Sequence, residues 1–217
     1  MWLRHCLICQ QQQRFYCCVS CWQKIAPYQA PYWSKTLGSG GFPCISYTPY
    51  TKEIQQLLYF IKYHDFKGLA SECGRRLGEW YLKNWPLPDY VIAIPLHDSR
   101  QKERGYNQSW LLAQALAKVI QRPAVPLLMR IQDTPRLYNF NPHQRADLMK
   151  DAFVVSSSII KKRKKYYGAS YLIVDDIFTT GSTMESAFKA MSEVSQRSVS
   201  LTLARADITE LLDFGDV

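Results

Sequence analysis

Val174-Asp175-Asp176-Ile177-Phe178-Thr179-Thr180-Gly181-Ser182-Thr183 is the stretch that decides how this chain is read. It follows the apolar run Tyr171-Leu172-Ile173 and precedes residues 184–194, which have helical character. The order is an apolar strand, two carboxylates, a short hydroxyl-rich turn with one glycine, then a helix. Thr179, Thr180, Gly181, Ser182 and Thr183 can turn backbone N–H groups and hydroxyls toward a phosphate at the helix N-terminus, where the dipole favours negative charge. Gly181 allows a turn that a Cβ would obstruct. Asp175 and Asp176 end the strand, placed to accept hydrogen bonds from vicinal ribose hydroxyls in the crevice where open α/β sheets bind ligands. Asp-Asp after a strand and Thr-Gly-Ser before a helix are each common alone. Joined in this order they describe a sugar-phosphate site.

The stretch closely resembles the phosphoribosyl-pyrophosphate (PRPP) loop of type I phosphoribosyltransferases. Such a site also needs cations opposite the loop, from the carboxyl end of a neighbouring strand. Residues 90–95 read as a buried strand, and Leu96 to Gln108 follow as a polar loop carrying Arg100, Lys102 and Arg104, with Gly105 before a helix. Arginine suits fork-like contact with phosphate oxygens. Alone this loop reads equally as a solvated connector; beside Asp175 and Asp176 it reads as the pyrophosphate side. The resemblance implies that Asp175 and Asp176 hold the ribose and Arg100 and Arg104 the pyrophosphate, with Mg²⁺ entering alongside PRPP.

Five of the seven cysteines lie between Cys6 and Cys21. Cys6-x-x-Cys9 and Cys18-x-x-Cys21 form two knuckles with eight residues between them, enough to close a tetrahedral shell around structural Zn²⁺. Cys17 competes with Cys18 as a ligand, and Cys18 is preferred because its spacer matches that of the first pair; His5 is a weaker candidate. A disulfide pair is disfavoured in a cytosolic setting, and redox chemistry needs only one such pair. Four sulfurs leave no open position, so the expected role is structural.

The 217 residues suffice for one medium α/β domain and a small appendage, and 47% hydrophobic content argues against disorder. No apolar run is long enough to span a bilayer, and Arg4, His5 and Cys6 precede any hydrophobic region, so no membrane insertion and no secretory signal are expected. A cytoplasmic location follows as the default. The net charge is +9, and residues 207–217 carry four acids and no base, so the rest of the chain is more basic still. With 14 Tyr, 9 Phe and 6 Trp, that surplus suits single-stranded nucleic acid, although most aromatics belong in a core. The run Lys161-Lys162-Arg163-Lys164-Lys165, next to Tyr166 and Tyr167, reads either as a nucleic-acid patch or as a solvated turn.

Periodicity sets the remaining organisation. Residues 52–63 and 69–83 carry apolar stripes at helical spacing, with Cys73 on the second as a buried thiol, and 109–120 and 182–194 also read as helices. Residues 125–130, 152–155, 171–174 and 198–204 read as strands, and 135–150 as polar and irregular. Strands alternating with helices predict an α/β fold, a mostly parallel sheet with helices on both faces. The expected organisation is a zinc module at 1–25, a Pro/Gly/Ser-rich linker at 26–44, a phosphoribosyltransferase-like domain at 45–205 and an acidic tail at 206–217.

Taken together, the paired CxxC motifs, Ile61-Lys62-Tyr63 with Phe66-Lys67-Gly68, Ile94-Pro95-Leu96, Arg100, Arg104-Gly105-Tyr106-Asn107-Gln108 and the phosphate loop resemble the ComF/GntX family from Cys6 to about Ala204. The Arg-Gly-Tyr-Asn-Gln element is more diagnostic than the PRPP loop, which all type I phosphoribosyltransferases share. The resemblance implies a type I phosphoribosyltransferase-like fold, a zinc ribbon, and the handling of incoming single-stranded DNA during natural competence, with DNA-uptake proteins as partners. One region departs from the family pattern: Arg145, Ala152 and Phe153 fit, but Leu148 stands where Asn is expected, Asp151 where Gly is, and Leu137 where Gln is. An active phosphoribosyltransferase acting on a nucleobase or other nitrogen nucleophile is the competing expectation, because binding PRPP and using it need the same loop.

Overall fold

The structure, a computed structural model, describes residues 4–25, 42–134, 140–160 and 164–206. Lys161, Lys162 and Arg163, Leu137, most of the expected linker (26–41) and the acidic tail from 207 onward lie outside these residues. The chain begins with strands β1 (Arg4–His5) and β2 (Gln12–Gln13) and helix α1 (Val19–Lys24). Next come β3 (Cys44–Pro49), α2 (Lys52–Tyr63), α3 (Lys67–Asn84), β4 (Tyr90–Ala93), α4 (Asp98–Arg104) and α5 (Gln108–Val119). Strands β5 (Leu128–Arg130) and β6 (Phe153–Val155) flank α6 (Pro142–Met149) and pair antiparallel. The short α7 (Ser157–Ile160), then β7 (Tyr171–Phe178), α8 (Ser182–Met191) and β8 (Ser198–Arg205) complete the described chain.

The main sheet runs β3-β8-β7-β4, and every pairing in it is parallel. Parallel strands need crossovers that cover both faces, so their sequences read as apolar runs. Strand β7 shows the consequence. Its alternate residues Leu172 and Val174 join a core with Ile54, Leu57 and Ile61 of α2 and Leu112 and Leu116 of α5. Tyr171 and Ile173 point into a second core with Met184, Ala187 and Met191 of α8. On α2 the spacing of Ile54, Leu57, Leu58 and Ile61 puts four fully buried side chains on one stripe, each worth about 1.5–3 kcal/mol of burial. Thr51 starts that helix by accepting from the Ile54 N–H. Helices α3 and α5 pack so closely that a Cβ on Gly74 would fall 2.4 Å from the Leu112 carbonyl oxygen.

The cysteine-bearing segment packs on this body. Trp22 stacks on Tyr47 of β3 with centroids 6.2 Å apart, and the Arg76 guanidinium covers Trp22 at 4.7 Å. The Tyr16 N–H donates to Glu72 of α3 at 3.1 Å, and Gln56 of α2 donates to the Leu7 carbonyl at 2.7 Å. Cys6, Cys17, Cys21, Trp22 and Ile25 share one apolar core with α2, α3 and β3.

Several segments differ from the reading by periodicity, among them β3, to which that reading assigns no element. Strand β7 continues through Asp175 and Asp176 to Phe178, so the carboxylates sit inside the ladder, Asp175 opposite Thr202 of β8. The polar loop after β4 contains α4, started by His97 and stopped by Gly105 at φ +77°. The stretch read as irregular contains α6, which opens with a reciprocal box: Asn141 accepts from the Gln144 N–H while the Gln144 side chain accepts from the Asn141 N–H.

Candidate functional site

A cleft of about 480 Å³ opens at the carboxyl ends of β4 and β7. It is lined by Arg100, Arg104, Asp175, Asp176, Thr179 and Thr183 of the residues singled out in the sequence, and by Lys62, Tyr63, Ser109 and Arg130, to which no role had been given. The Arg-Gly-Tyr-Asn-Gln element builds one wall, and each residue has a separate task. Gly105, in the left-handed region, ends α4 and directs Arg104 into the cleft. The Tyr106 hydroxyl donates to the Ile61 carbonyl, tying the last turn of α2 to this wall. Asn107 caps α5 by accepting from the Ser109 and Trp110 N–H groups, and its amide donates to the Ile94 carbonyl at 2.9 Å. Gln108 accepts from Arg104 at 2.6 Å and donates to Asp176 at 3.3 Å.

The two carboxylates are buried and already engaged. Asp175 accepts from the Ser109 hydroxyl at 2.6 Å, and Asp176 pairs with Lys62 at 2.7 Å. Burial, and after it the neighbouring Asp176 charge, push the Asp175 carboxyl well above the ordinary carboxylate range. Burial alone would lower the Lys62 ammonium, but Asp176 outweighs it and the group is held more firmly protonated. Burial, then nearby Arg100, lower the Arg130 guanidinium to about 10, so it stays charged at neutral pH. Four basic and four acidic side chains line the cleft, and the raised Asp175 carboxyl weakens the acidic side of that balance. The cleft therefore suits an anion.

The loop after β7 takes the turn-then-helix form read from the sequence. Gly181 stands at φ +87° as the N-cap of α8 and brings no capping side chain to that helix. Thr179 and Thr183 line the cleft, whereas Ser182 is buried and shares a 2.9 Å hydrogen bond with Thr180. Arg100 donates to the Thr134 carbonyl at 2.9 Å, and Arg130 donates to the Thr134 hydroxyl. Lys62 was legible only as part of the Ile61-Lys62-Tyr63 element and not as a site residue, because a lysine beside the buried Ile61 looks like any half-exposed helix position. Arg130 escaped sequence reading because it ends a short strand. At Asp151, where the family resemblance expects glycine, φ is +57°, and Lys189 pairs with its carboxylate at 2.5 Å. The backbone has kept the glycine conformation without the glycine.

The four sulfurs of Cys6, Cys9, Cys18 and Cys21 lie within 4.8 Å of one another, and those of Cys9 and Cys18 are 3.7 Å apart. A tetrahedral ion with bonds of about 2.3 Å sets ligand sulfurs roughly 3.8 Å apart, so the donor set fits. Backbone N–H groups of Cys18 and Cys21 point at Cys6 and Cys18 sulfurs at 3.4 and 3.3 Å. Burial by itself would raise the Cys6 thiol; N–H groups of Cys18, Cys9 and Ile8 outweigh it and lower the thiol to about 6. Cys17 instead faces the core, and burial pushes its thiol far up.

Lys164 and Lys165 are exposed, and Lys165 lies 5.8 Å from the Tyr90 ring and 5.5 Å from that of Tyr166. Tyr90 opens β4 and stacks beside Tyr171, which opens β7, so this basic end lies at the amino edge of the sheet. The cleft is at the other edge, about 25 Å away along an eight-residue strand.

A parallel sheet, an acidic pair within the inner strand β7, a hydroxyl loop entering α8 and a four-cysteine cluster define a phosphoribosyltransferase-like α/β protein with an N-terminal metal-type module. No family model matches the chain. Its relatives include the DNA utilization protein YhgH of Salmonella typhi, 28% identical over 77% of this chain and 67% of that protein. Competence protein F of Haemophilus influenzae is 30% identical over 55% of this chain and 52% of its own length. Competence protein ComFC of Bacillus subtilis is 28% identical over 52% and 42%. The chain is thus similar to competence protein F, ComFC and the DNA utilization proteins, relatives that support the resemblance to the ComF family. Among solved structures, adenine phosphoribosyltransferase of Leishmania tarentolae is 12% identical over 79% of this chain and 93% of that one, with a TM-score of 0.44. The glutamine PRPP amidotransferase of B. subtilis is 16% identical over 62% and 26%, with a TM-score of 0.41. Scores this low say nothing of ligand or chemistry. Among the described residues no helix is long and apolar enough to cross a membrane.

Proposed function

We propose that this chain acts in DNA uptake as a single-stranded-DNA handling protein whose cleft binds PRPP or a related sugar phosphate with Mg²⁺. The observation that carries the pocket reading is the meeting of Asp175, Asp176, Thr179 and Thr183 with Lys62, Arg100, Arg104 and Arg130 in one cleft. In it Asp175 and Asp176 accept from ribose hydroxyls, the amino end of α8 takes the 5′-phosphate, and Arg100 and Arg104 take the pyrophosphate. Mg²⁺, bound together with PRPP, would supply charge neutralisation at the pyrophosphate. The DNA reading is supported by the names of the relatives, competence protein F and DNA utilization protein, and by the net charge of +9. Lys161, Lys162, Arg163, Lys164 and Lys165 are its candidate phosphate contacts. Cys6, Cys9, Cys18 and Cys21 hold a structural Zn²⁺, and DNA-uptake proteins are the expected partners.

Calorimetry with PRPP–Mg²⁺, run beside a titration with single-stranded DNA, tests both halves. Each lost charge-assisted hydrogen bond costs about 1.5–3 kcal/mol, so Asp175→Ala with Asp176→Ala should nearly abolish PRPP binding. A folded double variant that binds like the parent would put the site elsewhere. The same groups also serve transfer of ribose-5-phosphate to a nitrogen nucleophile. Release of pyrophosphate from PRPP on addition of a nucleobase would establish that enzymatic reading instead.

A further inference from the structure

Two exposed rings on the outer face of α2 continue into a chain of rings packed along the edge of the core. Tyr59 and Tyr63, one turn apart with centroids separated by 5.4 Å, are 52% and 56% exposed. His64 lies 5.0 Å from Tyr59 and 5.3 Å from Phe60, and Phe60 lies 5.3 Å from Phe66. Phe66 in turn meets Tyr16, between the two cysteine knuckles, at 5.5 Å. Both ends bear a cation on a ring: Arg104 lies 5.9 Å from Tyr63 and Arg4 lies 4.1 Å from Tyr16. Asp65, the acid on this band, is paired with Lys67 at 3.0 Å. Tyr63 also lines the cleft, so the band runs from the sugar-phosphate site to the four-cysteine module.

We infer that this band is a base-stacking platform for single-stranded DNA leading to the cleft. The inference rests on the proposed binding of single-stranded DNA and gives it a path. Core rings are covered, but these two tyrosines stand half in water, at the spacing of neighbouring rings, with guanidinium groups at either end for a phosphate backbone. Stacked bases are accepted on any π-face, so the path tolerates any sequence. Duplex DNA, whose bases are already stacked on each other, gains nothing from it.

Fluorescence anisotropy with a labelled oligothymidylate tests the path, comparing the full chain with Tyr59→Ala/Tyr63→Ala and Tyr59→Phe/Tyr63→Phe variants. Each ring lost should weaken binding about 5- to 150-fold, while the Phe pair, which keeps both rings, stays near the parent. The dependence on salt should keep its slope in the Ala pair, because no phosphate contact is removed. Matching melting midpoints confirm that these exposed positions do not disturb the fold. If the Ala pair binds DNA as the parent does, the platform lies elsewhere and DNA binding itself stands. A parent that binds no single-stranded DNA at low salt sinks both. If the Ala pair loses self-association in sedimentation and keeps DNA affinity, the band is a contact between copies and the inference is wrong.

Discussion

The Lys62 ammonium lies 2.7 Å from Oδ2 of Asp176, joining the end of α2 to the end of β7 inside the cleft. The pair is mostly out of water, with the lysine side chain 21% exposed and the aspartate 8%. Replacing Lys62 by Met leaves a buried carboxylate with Gln108 as its remaining side-chain partner. Breaking a fully buried pair costs about 3–5 kcal/mol, and the exposure of Lys62 places this loss at or below the low end. Urea denaturation should show a reduced midpoint at unchanged slope, and Lys62→Met with Asp176→Leu should recover part of it.

Asp175 predicts how stability depends on pH. Its folded carboxyl is raised by burial and then by Asp176, whereas an unfolded aspartate titrates near about 3.9. Above that value the native state binds more protons than the unfolded state, so this group's contribution falls as pH rises toward neutrality. Asp175→Asn should flatten that slope in melting curves between acidic and neutral pH. A parent whose stability rises with pH by the same amount as the variant's would contradict the burial argument.

Zinc content should separate adjacent cysteines. Cys18→Ser removes one of four clustered sulfurs and should lower the metal found by elemental analysis of purified protein. Cys17→Ser should leave metal content intact while costing about 1–3 kcal/mol, because it sets a hydroxyl in an apolar core. Parent protein without stoichiometric metal would remove the zinc assignment.

Asn107 holds the wall of the cleft through its cap and its bond to Ile94. Asn107→Ala should cost about 1–2 kcal/mol by loss of the cap, with weaker PRPP binding because Gln108 and Arg104 lose their seat. Asn107→Ser keeps a capping oxygen but cannot reach both partners, and should fall between. Denaturant midpoints and calorimetry on the three proteins read the two effects separately.

Replacing Lys161, Lys162, Arg163, Lys164 and Lys165 by Ser and Gln should flatten the salt dependence of DNA binding, since each neutralised phosphate releases counterions. PRPP affinity should not change, because Lys164 and Lys165 sit at the opposite edge of the sheet from the cleft. An unaltered salt slope would leave the run as a solvated turn.

By itself the sequence determined the features carried by local spacing. The apolar runs of β4, β7 and β8, the stripes of α2 and α3 and the glycine before α8 state their conformations through period and backbone freedom, and the pair spacing singled out Cys18 over Cys17. Asn141-Pro142 with Gln144 was also a readable helix start, masked by the polar composition around it. Tertiary structure alone decided which distant groups meet. Lys62 comes to Asp176 because α2 packs its Ile54 stripe against the sheet, and Arg130 comes to Arg100 because both reach Thr134. The electrostatics of the site follow from the same packing: the Asp175 carboxyl is raised because folding buries it beside a second carboxyl, and burial is a property of the assembled layers rather than of neighbouring residues.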